Sequence, residues 1–398
     1  MKRKILFYSE NFCGDKTRGG LEVATFRIAQ ALKNTREWEV YDAFCSNTYS
    51  GEKSVYADII KLPRSEKSFE RDLGNFIREK KIDVVVNMSR FFRHQAIVKA
   101  VKLSGRNDVK IIFMQHFAPG SEKKKPTFKS GLHLLRLNPY NPVYWLRSSF
   151  YPLLKLPRNL RLNKVYRHTY ESSDKVILLS EGYIEDYKKI AGISESEKFD
   201  FVPNIFELPE ASLKVNLSEK KKRVLILSRM DEIQKRISLA LKIWKKIEED
   251  PGLSDWHLDI VGSGHNVDIM KRLVKKLGLT RATYHGWQER TPFLLESSIL
   301  MMTSEYEGLP LAILEAQAYG VVPIAYDSYA SVKDVISDGK NGILVNRFGD
   351  IEGYAEKLSF LMKDRKYRDC LAERAMDNSS LFSSEVVVRK WQTILENL

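Results

Sequence analysis

Residues 298–316 read "SILMMTSEYEGLPLAILEA", the pattern of a buried strand, a turn and a helix. The opening run is apolar, as in a strand of a parallel sheet that is covered on both faces. Pro310 suits the first turn of a helix, where a backbone N–H would have no partner. Two carboxylates, Glu307 and Glu315, lie eight positions apart. The segment therefore predicts a strand–turn–helix unit that carries acidic side chains near the carboxyl end of a strand.

The same alternation of short apolar runs and helical periods continues along the chain. The candidate strands are residues 4–9, 84–89, 109–115, 175–180, 223–228, 257–263, 282–287, 298–304 and 321–326. The candidate helices are residues 21–34, 68–81, 238–250, 266–278, 291–297, 311–320 and 383–398. Apolar strands that alternate with helices predict α/β domains with parallel sheets.

The length of 398 residues favours two domains, because single hydrophobic cores stop growing at about 250–300 residues. The irregular stretch 203–222 contains two prolines and marks the linker. We expect an N-terminal Rossmann-like domain at 1–205, a C-terminal one at 206–375, and a final helix within 376–398 that packs back towards the N-terminal domain. Two doubly wound domains would then face each other across a cleft, which is the default ligand site.

Composition limits the partners and the compartment. Lysines and arginines outnumber acids by 65 to 51, a net charge of +14 that indicates an anionic partner such as nucleic acid, a phosphate-bearing substrate or a membrane surface. Cys13, Cys45 and Cys370 form no CxxC pair, which predicts neither a disulfide framework nor a zinc site and fits a reducing cytosol. The first apolar run is too short for a signal peptide and none reaches 18 residues, so any membrane contact is expected to be peripheral.

The turn after the 298–304 strand has the chemistry of a nucleotide-diphosphate site. Gly308 permits close approach of a ligand, and the free amides at a helix start attract a phosphate or diphosphate. We expect Glu307 to point into the cleft and Glu315, in the second turn, to accept hydrogen bonds from two ribose hydroxyls. For this segment alone, a helix with one solvated glutamate and one capping acid is an equally good interpretation.

Other strand ends supply cations and glycines. Arg229 and Lys235 follow the 223–228 strand, where two cations can neutralise a departing diphosphate, although an isolated pair is more often a pair of surface bases. Gly262 and Gly264 permit close approach of a ligand, but a GxG pattern by itself is weak evidence.

The first half of the chain contributes two further candidates. Gly19 and Gly20 directly precede a helix, and such an amide cluster suits a phosphate. His116 follows the 109–115 strand, where a lone histidine is more often structural than catalytic.

Taken in order, these motifs resemble the retaining glycosyltransferases of family 4, which have the GT-B fold. The spacing Glu307–x7–Glu315 matches that family's E-x7-E signature. The likeness covers nearly the whole chain and is strongest in 221–345. The residues that carry it are "RGGLE" (18–22), His116, "VPN" (202–204), "SRM…QK" (228–235), "VGSG" (261–264), "YHGW" (284–287) and "EYEGLPLAILEA" (305–316).

The resemblance implies a nucleotide-sugar donor, with a UDP-sugar favoured, bound mainly by the C-terminal domain without a required metal or other cofactor. By matching positions, the diphosphate would contact Arg229 and Lys235, and Glu315 would bind the ribose. Glu307 would contact the donor sugar, with His116 nearby; these two residues and the two cations are the expected catalytic set. The other donor-binding positions are Gly19, Gly20, Gly262, Tyr284, Gly308, Leu309, Pro310 and Leu311.

The family also implies transfer of a hexose with retention at the anomeric carbon, to a glycan or lipid-linked acceptor of bacterial surface polysaccharide assembly. A hinge at 203–220 would close the cleft. Two positions depart from the family pattern: Arg236 replaces a frequent glycine, and Phe117 replaces a common acid, so no acceptor-side role is carried over.

Residues 121–170 hold eleven lysines and arginines against one acid, with aromatic and leucine side chains between them. Such an insertion in the acceptor-binding domain suits an anionic membrane surface. It would place a cytoplasmic enzyme on the inner face of the membrane. A long helical connection whose basic side chains face water is an equally good interpretation.

Two other functions rank below glycosyl transfer. The net charge alone favours a nucleic-acid-binding protein, but the sequence has no RNP-type, zinc or helix-turn-helix pattern, so no nucleic-acid partner is expected. A nucleotide-sugar epimerase on the same fold would need catalytic acids beyond the two of the clamp.

Overall fold

The structure is a computed structural model that describes residues 2–14, 20–46, 55–124, 128–137, 159–209 and 215–398. These residues form two compact units. The first contains the described residues of 1–120, 156–205 and 382–398, and the second contains those of 121–155 and 206–381.

All strand pairs within the two sheets are parallel. The strands are β1 (Arg3–Ser9), β2 (Trp38–Phe44), β3 (Asp58–Lys61), β4 (Val84–Asn87), β5 (Lys110–Gln115), β6 (Lys175–Leu178), β7 (Phe199–Phe201), β8 (Arg223–Leu227), β9 (His257–Val261), β10 (Ala282–Gly286), β11 (Ile299–Met302), β12 (Val322–Tyr326) and β13 (Ile343–Val345).

Helices connect most successive strands within each sheet, as is usual for parallel pairing. They are α1 (Gly20–Asn34), α2 (Glu66–Lys80), α3 (His94–Leu103), α4 (Ser121–Lys124), α5 (Phe128–Leu137), α6 (159–171), α7 (Tyr183–Ala191), α8 (Ile237–Glu248), α9 (Val267–Leu277), α10 (Thr291–Glu296), α11 (Leu311–Ala318), α12 (Val332–Val335), α13 (Ile351–Lys363), α14 (Arg365–Ser379) and α15 (Ser384–Glu396).

Each sheet has the strand order of a doubly wound fold. The first unit is ordered β3-β2-β1-β4-β5-β6-β7 and the second β10-β9-β8-β11-β12-β13. The order reverses between β1 and β4 in the first unit and between β8 and β11 in the second. Such a reversal leaves a crevice at the carboxyl ends of the two adjacent strands. The predicted pair of doubly wound α/β domains is therefore confirmed.

The sequence analysis found the central strands and missed β2, β3, β7 and β13. These four are short or contain acids, as "WEVYDAF" in β2 does, so their apolar runs are broken. Asp42 of β2 is nevertheless fully buried. Position in the sheet, rather than local hydrophobicity, decides that these segments are strands.

The last helix belongs to the first unit. α15 packs against α1, and its Trp391 is fully buried with its ring edge-on to Phe7 of β1, at 6.4 Å between centroids. Arg3 donates a 2.6 Å hydrogen bond to the carbonyl oxygen of Leu395.

The segment after β5 differs from the predicted domain division, which assigned all of 1–205 to the N-terminal domain. α4 and α5 group with the second unit. Of the predicted basic insertion 121–170, residues 125–127 and 138–158 lie outside the described part, as do residues 210–214 of the predicted linker. The cleft between the domains stays a prediction.

Candidate active site

The candidate site of the second unit lies on two loops at its topological switch point. The β8 loop, residues 228–236, follows β8, and the β11 loop, residues 303–310, follows β11. Because β8 and β11 are adjacent parallel strands, both loops start from the same edge of the sheet. This topology brings together sequence motifs that are about 70 residues apart.

Lys235 and Glu307 form the centre of this site. Lys235 Nζ lies 2.5 Å from Glu307 Oε1, with only 14% and 9% of the two side chains exposed. Gln234 donates a 3.0 Å hydrogen bond to Glu307 Oε2 and a 3.2 Å bond to the carbonyl oxygen of Tyr306. The predicted cation and the predicted acid are therefore one largely buried ion pair, and Glu307 points at Lys235.

Arg229, which is an exposed residue, joins the same network. Its Nη2 donates a 3.0 Å hydrogen bond to Gln234 Oε1, while the rest of the side chain faces solvent. Gln234 thus connects Arg229 to Glu307, a role that the sequence analysis missed. Its position next to Lys235 was the only indication in the sequence, because an uncharged amide is not an obvious candidate for a site residue.

Glu315 is held by an arginine that the sequence analysis also missed. Arg290 forms an ion pair with Glu315 Oε1, with 56% of the arginine side chain and 20% of the glutamate side chain exposed. Arg290 precedes α10, 25 positions away from Glu315, so no local periodicity links the two residues. The pair leaves the carboxylate partly accessible, and an approaching ligand would compete with a solvated guanidinium.

α11 starts where the candidate helix 311–320 starts, but Pro310 lies just outside the first turn, in which it was expected. The first helical residue is Leu311, and Pro310 is the residue before it. The N–H of Leu311 donates to Leu309 O at 2.9 Å, and the N–H of Ile313 donates to Pro310 O at 2.9 Å. These two amides are therefore occupied inside the turn, and the expectation of free amides at the helix start does not hold for them. Gly308 is half-buried beside Leu309 and Pro310, which are buried.

Close backbone contacts leave no room for a side chain at Gly262 or Gly264. A Cβ on Gly262 would lie 1.8 Å from Ser228 O, at a φ of +138°, and one on Gly264 would lie 2.7 Å from Met230 O. The β8 loop and the loop after β9 are joined at this contact, since Met230 N donates to Ser263 O at 3.0 Å. Gly262 therefore has a structural role beside its predicted one.

Tyr284 of β10 supports the same loop. Its hydroxyl donates a 3.0 Å hydrogen bond to Gly262 O. Tyr284 thus reaches the predicted donor region, but in the structure its hydroxyl is used to hold the glycine turn.

The predicted residues His116 and Gly20 belong to the first unit. His116 follows β5, where burial lowers its pKa to about 4 and the neighbouring Asn204 side chain opposes the shift. Its Nε2 is buried without a hydrogen-bond partner within the described ranges. A neutral imidazole with a free ring nitrogen can accept or donate a ligand hydrogen bond. Gly20 is the first residue of α1, and Gly19 lies outside the described residues.

No group of three or more histidine, cysteine, aspartate or glutamate side chains is placed to hold a metal ion in the described part of the chain. None of the described helices is both long and apolar enough to cross a bilayer. Cys13, Cys45 and Cys370 are free thiols in the structure.

Comparison with known proteins identifies the type of domain. Residues 209–377 match the family model "Glycosyl transferases group 1". The chain is 25% identical over 240 residues to the poly(glycerol-phosphate) alpha-glucosyltransferase of Bacillus subtilis, over 60% of this chain and 35% of that protein. It is 29% identical over 180 residues to the amylovoran biosynthesis glycosyltransferase AmsD of Erwinia amylovora, over 45% and 49%. The chain thus spans about a third to a half of the length of these curated relatives.

Structural comparison extends the likeness to both units. Anabaena Alr3699/HepE, solved in complex with UDP and glucose, aligns over 100% of this chain and 100% of its own, with a TM-score of 0.71 and 14% identity. At this identity the likeness shows the fold, which is the GT-B fold of two Rossmann-like domains. Residues 209–377 are therefore similar to the group 1 glycosyl transferases, within a chain that has the GT-B fold.

Proposed function

We propose that this protein is a retaining glycosyltransferase of family 4 that moves a sugar from a UDP-sugar to a hydroxyl group of a glycan or lipid-linked acceptor. The observation that carries the proposal is the convergence of Arg229, Lys235 and Glu307 at one topological switch point, inside the region that matches group 1 glycosyl transferases. Glu315 follows on the next helix with a partly accessible carboxylate. The UDP in the complex of Alr3699/HepE supports the choice of base.

In the proposed reaction, the acceptor oxygen bonds to the anomeric carbon on the face from which the diphosphate leaves. The glycosidic C–O bond breaks, and the departing diphosphate takes the proton of the acceptor hydroxyl. Arg229 and Lys235 stabilise the negative charge that develops on the leaving group. No residue acts as a covalent nucleophile, and no metal takes part in the proposed step.

The buried ion pair explains how Lys235 is kept in place before the donor arrives. Glu307, which is itself held by Gln234, fixes one side of the Lys235 ammonium group. That group has three donor hydrogens, so a second acceptor can still bind it. A diphosphate oxygen is such an acceptor. Preorganised cations of this kind stabilise a transition state without further rearrangement.

We place the reaction in bacterial surface polysaccharide assembly, at the cytoplasmic face of the membrane. The name of AmsD, which refers to amylovoran biosynthesis, supports this placement, as does the basic character of 121–170. An anionic bilayer attracts such a segment.

A thermal-shift panel tests the nucleotide assignment. The melting temperature is measured with UDP, GDP, ADP and their sugars, on the wild type and on Glu315→Ala and Lys235→Ala. A ligand that binds the native state raises the melting temperature according to its affinity. We expect UDP and one UDP-sugar to stand out, and their shifts to fade in both variants.

Lys246→Ala is the matched control, because Lys246 forms a surface ion pair with Glu352 at 3.0 Å on a distant face of α8. It should respond to UDP like the wild type. Absence of a shift with every nucleotide, or equal shifts in all four proteins, would contradict the proposal. Transfer itself is then measured as acceptor-dependent release of UDP from the selected sugar nucleotide.

A further inference from the structure

Glu232 is a buried acid that the proposed reaction does not use. It lies in the β8 loop between Arg229 and Lys235, and it is only 3% exposed. Its carboxylate accepts hydrogen bonds from the N–H of Ser238 at 3.0 Å and from the hydroxyl of Ser238 at 2.5 Å. Arg236, which precedes α8, makes no side-chain cap. Glu232 therefore caps the first turn of α8 and ties the β8 loop to that helix.

A second partner of Glu232 comes from a distant part of the chain. His133 Nε2 lies 2.8 Å from Glu232 Oε1, although the two residues are 99 positions apart. His133 belongs to α5, whose Leu134 and Leu135 are each 6% exposed, so the helix presents the imidazole from a packed position. The imidazole itself is 26% exposed, against 3% for the carboxylate. The contact is thus an internal polar pair with one edge open to solvent.

The loops that follow β9 and β11 also hold the β8 loop. On one side, Met230 N bonds to Ser263 O, and Glu232 N bonds to the side chain of Asn266 at 2.9 Å. On the other side, Thr303 Oγ1 donates to Lys235 O at 3.0 Å. The middle of the loop is held by the carboxylate of Glu232, and His133 is the partner that reaches it from outside the sheet.

We propose that His133 is a positioning residue for the β8 loop, acting through Glu232 to hold Arg229 and Lys235 where a donor diphosphate would bind. This inference rests on the function proposed above. Without His133, the buried carboxylate of Glu232 loses a hydrogen-bond donor. A buried carboxylate with fewer donors is less stable than one in water, so the Glu232 side chain would shift towards solvent. Arg229 and Lys235 are within three residues of that carboxylate, and small misplacements of such groups lower reaction rates strongly.

The experiment compares His133→Ala, His133→Gln and a matched control, His168→Ala. Gln places an amide near the position of Nε2 and should restore the hydrogen bond, while His168 is an exposed histidine of α6. For each protein we would measure kcat, the KM for donor and for acceptor, and the Kd of UDP. We expect His133→Ala to lower kcat/KM for the donor about tenfold and to raise the Kd of UDP by a similar factor. The KM for the acceptor should stay unchanged, and His133→Gln should recover most of the loss.

A purely structural role would give a different result. If His133→Ala lowered the melting temperature but kept the kcat, the donor KM and the Kd of UDP of the wild type, the inference would be wrong. It would also be wrong if His168→Ala produced the same loss, or if the loss fell on the acceptor KM.

Hydrogen exchange separates the failure of this inference from the failure of the proposed function. Backbone amides of 229–236 are followed without ligand in the wild type and in His133→Ala, with α13 as the internal reference. Faster exchange confined to 229–236 supports the coupling even if the wild type transfers no sugar, a result that would overturn only the proposed function. Unchanged exchange in an active enzyme would overturn the coupling alone. Should His133→Ala be too unstable for kinetics, His133→Gln and this exchange measurement at low temperature decide the same question.

Discussion

At the scale of the residue, the two predicted cations have different surroundings. Arg229 is exposed and makes one hydrogen bond to Gln234, whereas Lys235 is paired with Glu307 in a largely buried position. An exposed cation can be removed with little effect on folding, but removal of one partner of a buried pair leaves an uncompensated charge. The two residues therefore serve the same proposed chemistry at different costs to stability.

Alanine substitutions should reveal this difference. Both Arg229→Ala and Lys235→Ala are expected to lower kcat by about 10²-fold, the effect of removing one preorganised charge-stabilising group. Urea unfolding should show a change within about 0.5 kcal/mol for Arg229→Ala and a loss of about 3 kcal/mol for Lys235→Ala. Lys246→Ala is the control for both measurements. Near-normal turnover in both variants would contradict the assignment of the diphosphate site.

His94 predicts how the stability of the first unit depends on pH. The side chain is fully buried beside Ser173, whose hydroxyl lies 3.1 Å from Nε2, and burial lowers the pKa of His94 to about 3. In the unfolded chain an ordinary histidine titrates near 6.5. Between these values the unfolded state binds a proton that the native state does not bind. The free energy of unfolding should therefore fall by about 1.4 kcal/mol per pH unit below 6.5 for this residue.

The measurement is the free energy of unfolding in urea from pH 7 to pH 5. His116, whose pKa is lowered to about 4, should add a second contribution of the same sign. His94→Gln is expected to make the pH dependence shallower, whatever its cost at pH 7. Phe69→Leu, a core change in the same unit, should lower stability equally at every pH. An unchanged slope in His94→Gln would show that this imidazole is accessible to protons in the native state.

At the scale of the element, the β8 loop is held by contacts with the turn after the neighbouring strand β9. Gly262 lets the turn after β9 lie against Ser228 O, and Tyr284 of β10 donates to the carbonyl oxygen of the same glycine. Three successive strands of the sheet, β8, β9 and β10, are connected in this way at their carboxyl ends. A side chain at position 262 would separate the first two.

Gly262→Ala should therefore destabilise the protein much more than an alanine substitution at a glycine that is required only for its positive φ. Gly278, the C-cap of α9, has a φ of +62° and open space around it, which makes it the matched control. We expect Gly278→Ala to cost about 1 kcal/mol of unfolding free energy and Gly262→Ala at least about 2 kcal/mol, measured by urea unfolding. UDP binding should be lost only in Gly262→Ala. Equal costs for the two variants would mean that the loop adjusts without strain.

At the scale of the whole molecule, the division into units does not follow the order of the sequence. α15 ends the chain but is part of the first unit, where Trp391 is fully buried against α1 and β1. α5 lies in the sequence between β5 and β6 of the first unit, yet it groups with the second, where His133 meets Glu232. Each unit therefore depends on a segment that is distant in sequence.

Trp391→Ala tests the contribution of α15. Loss of a fully buried indole should lower the free energy of unfolding by about 4 kcal/mol, because the removed ring leaves a cavity between α15 and the sheet. Calorimetry should show this loss in the transition of the first unit. Trp287→Ala is a matched control, since Trp287 is 70% exposed. If Trp287→Ala lowered the free energy of unfolding by a similar amount, burial of the Trp391 indole would not explain the loss.

The sequence by itself predicted the class of both units and named Arg229, Lys235, Glu307 and Glu315 as candidates for the site, but not Gln234 or Arg290. Strands such as "ILMM" are apolar along their whole length, and the carboxyl ends of parallel strands meet at one edge, so local patterns could put Arg229, Lys235 and Glu307 at strand ends. The resemblance to family 4 then joined them into one predicted site. The tertiary structure alone decided how these groups are paired: Lys235 with Glu307, Arg290 with Glu315, and His133 with Glu232. It also decided that α5 belongs to the second unit. The physical reason is that hydrophobic periodicity reports which face of an element is buried, whereas the choice of partner depends on burial and distance between residues 25 to 99 positions apart.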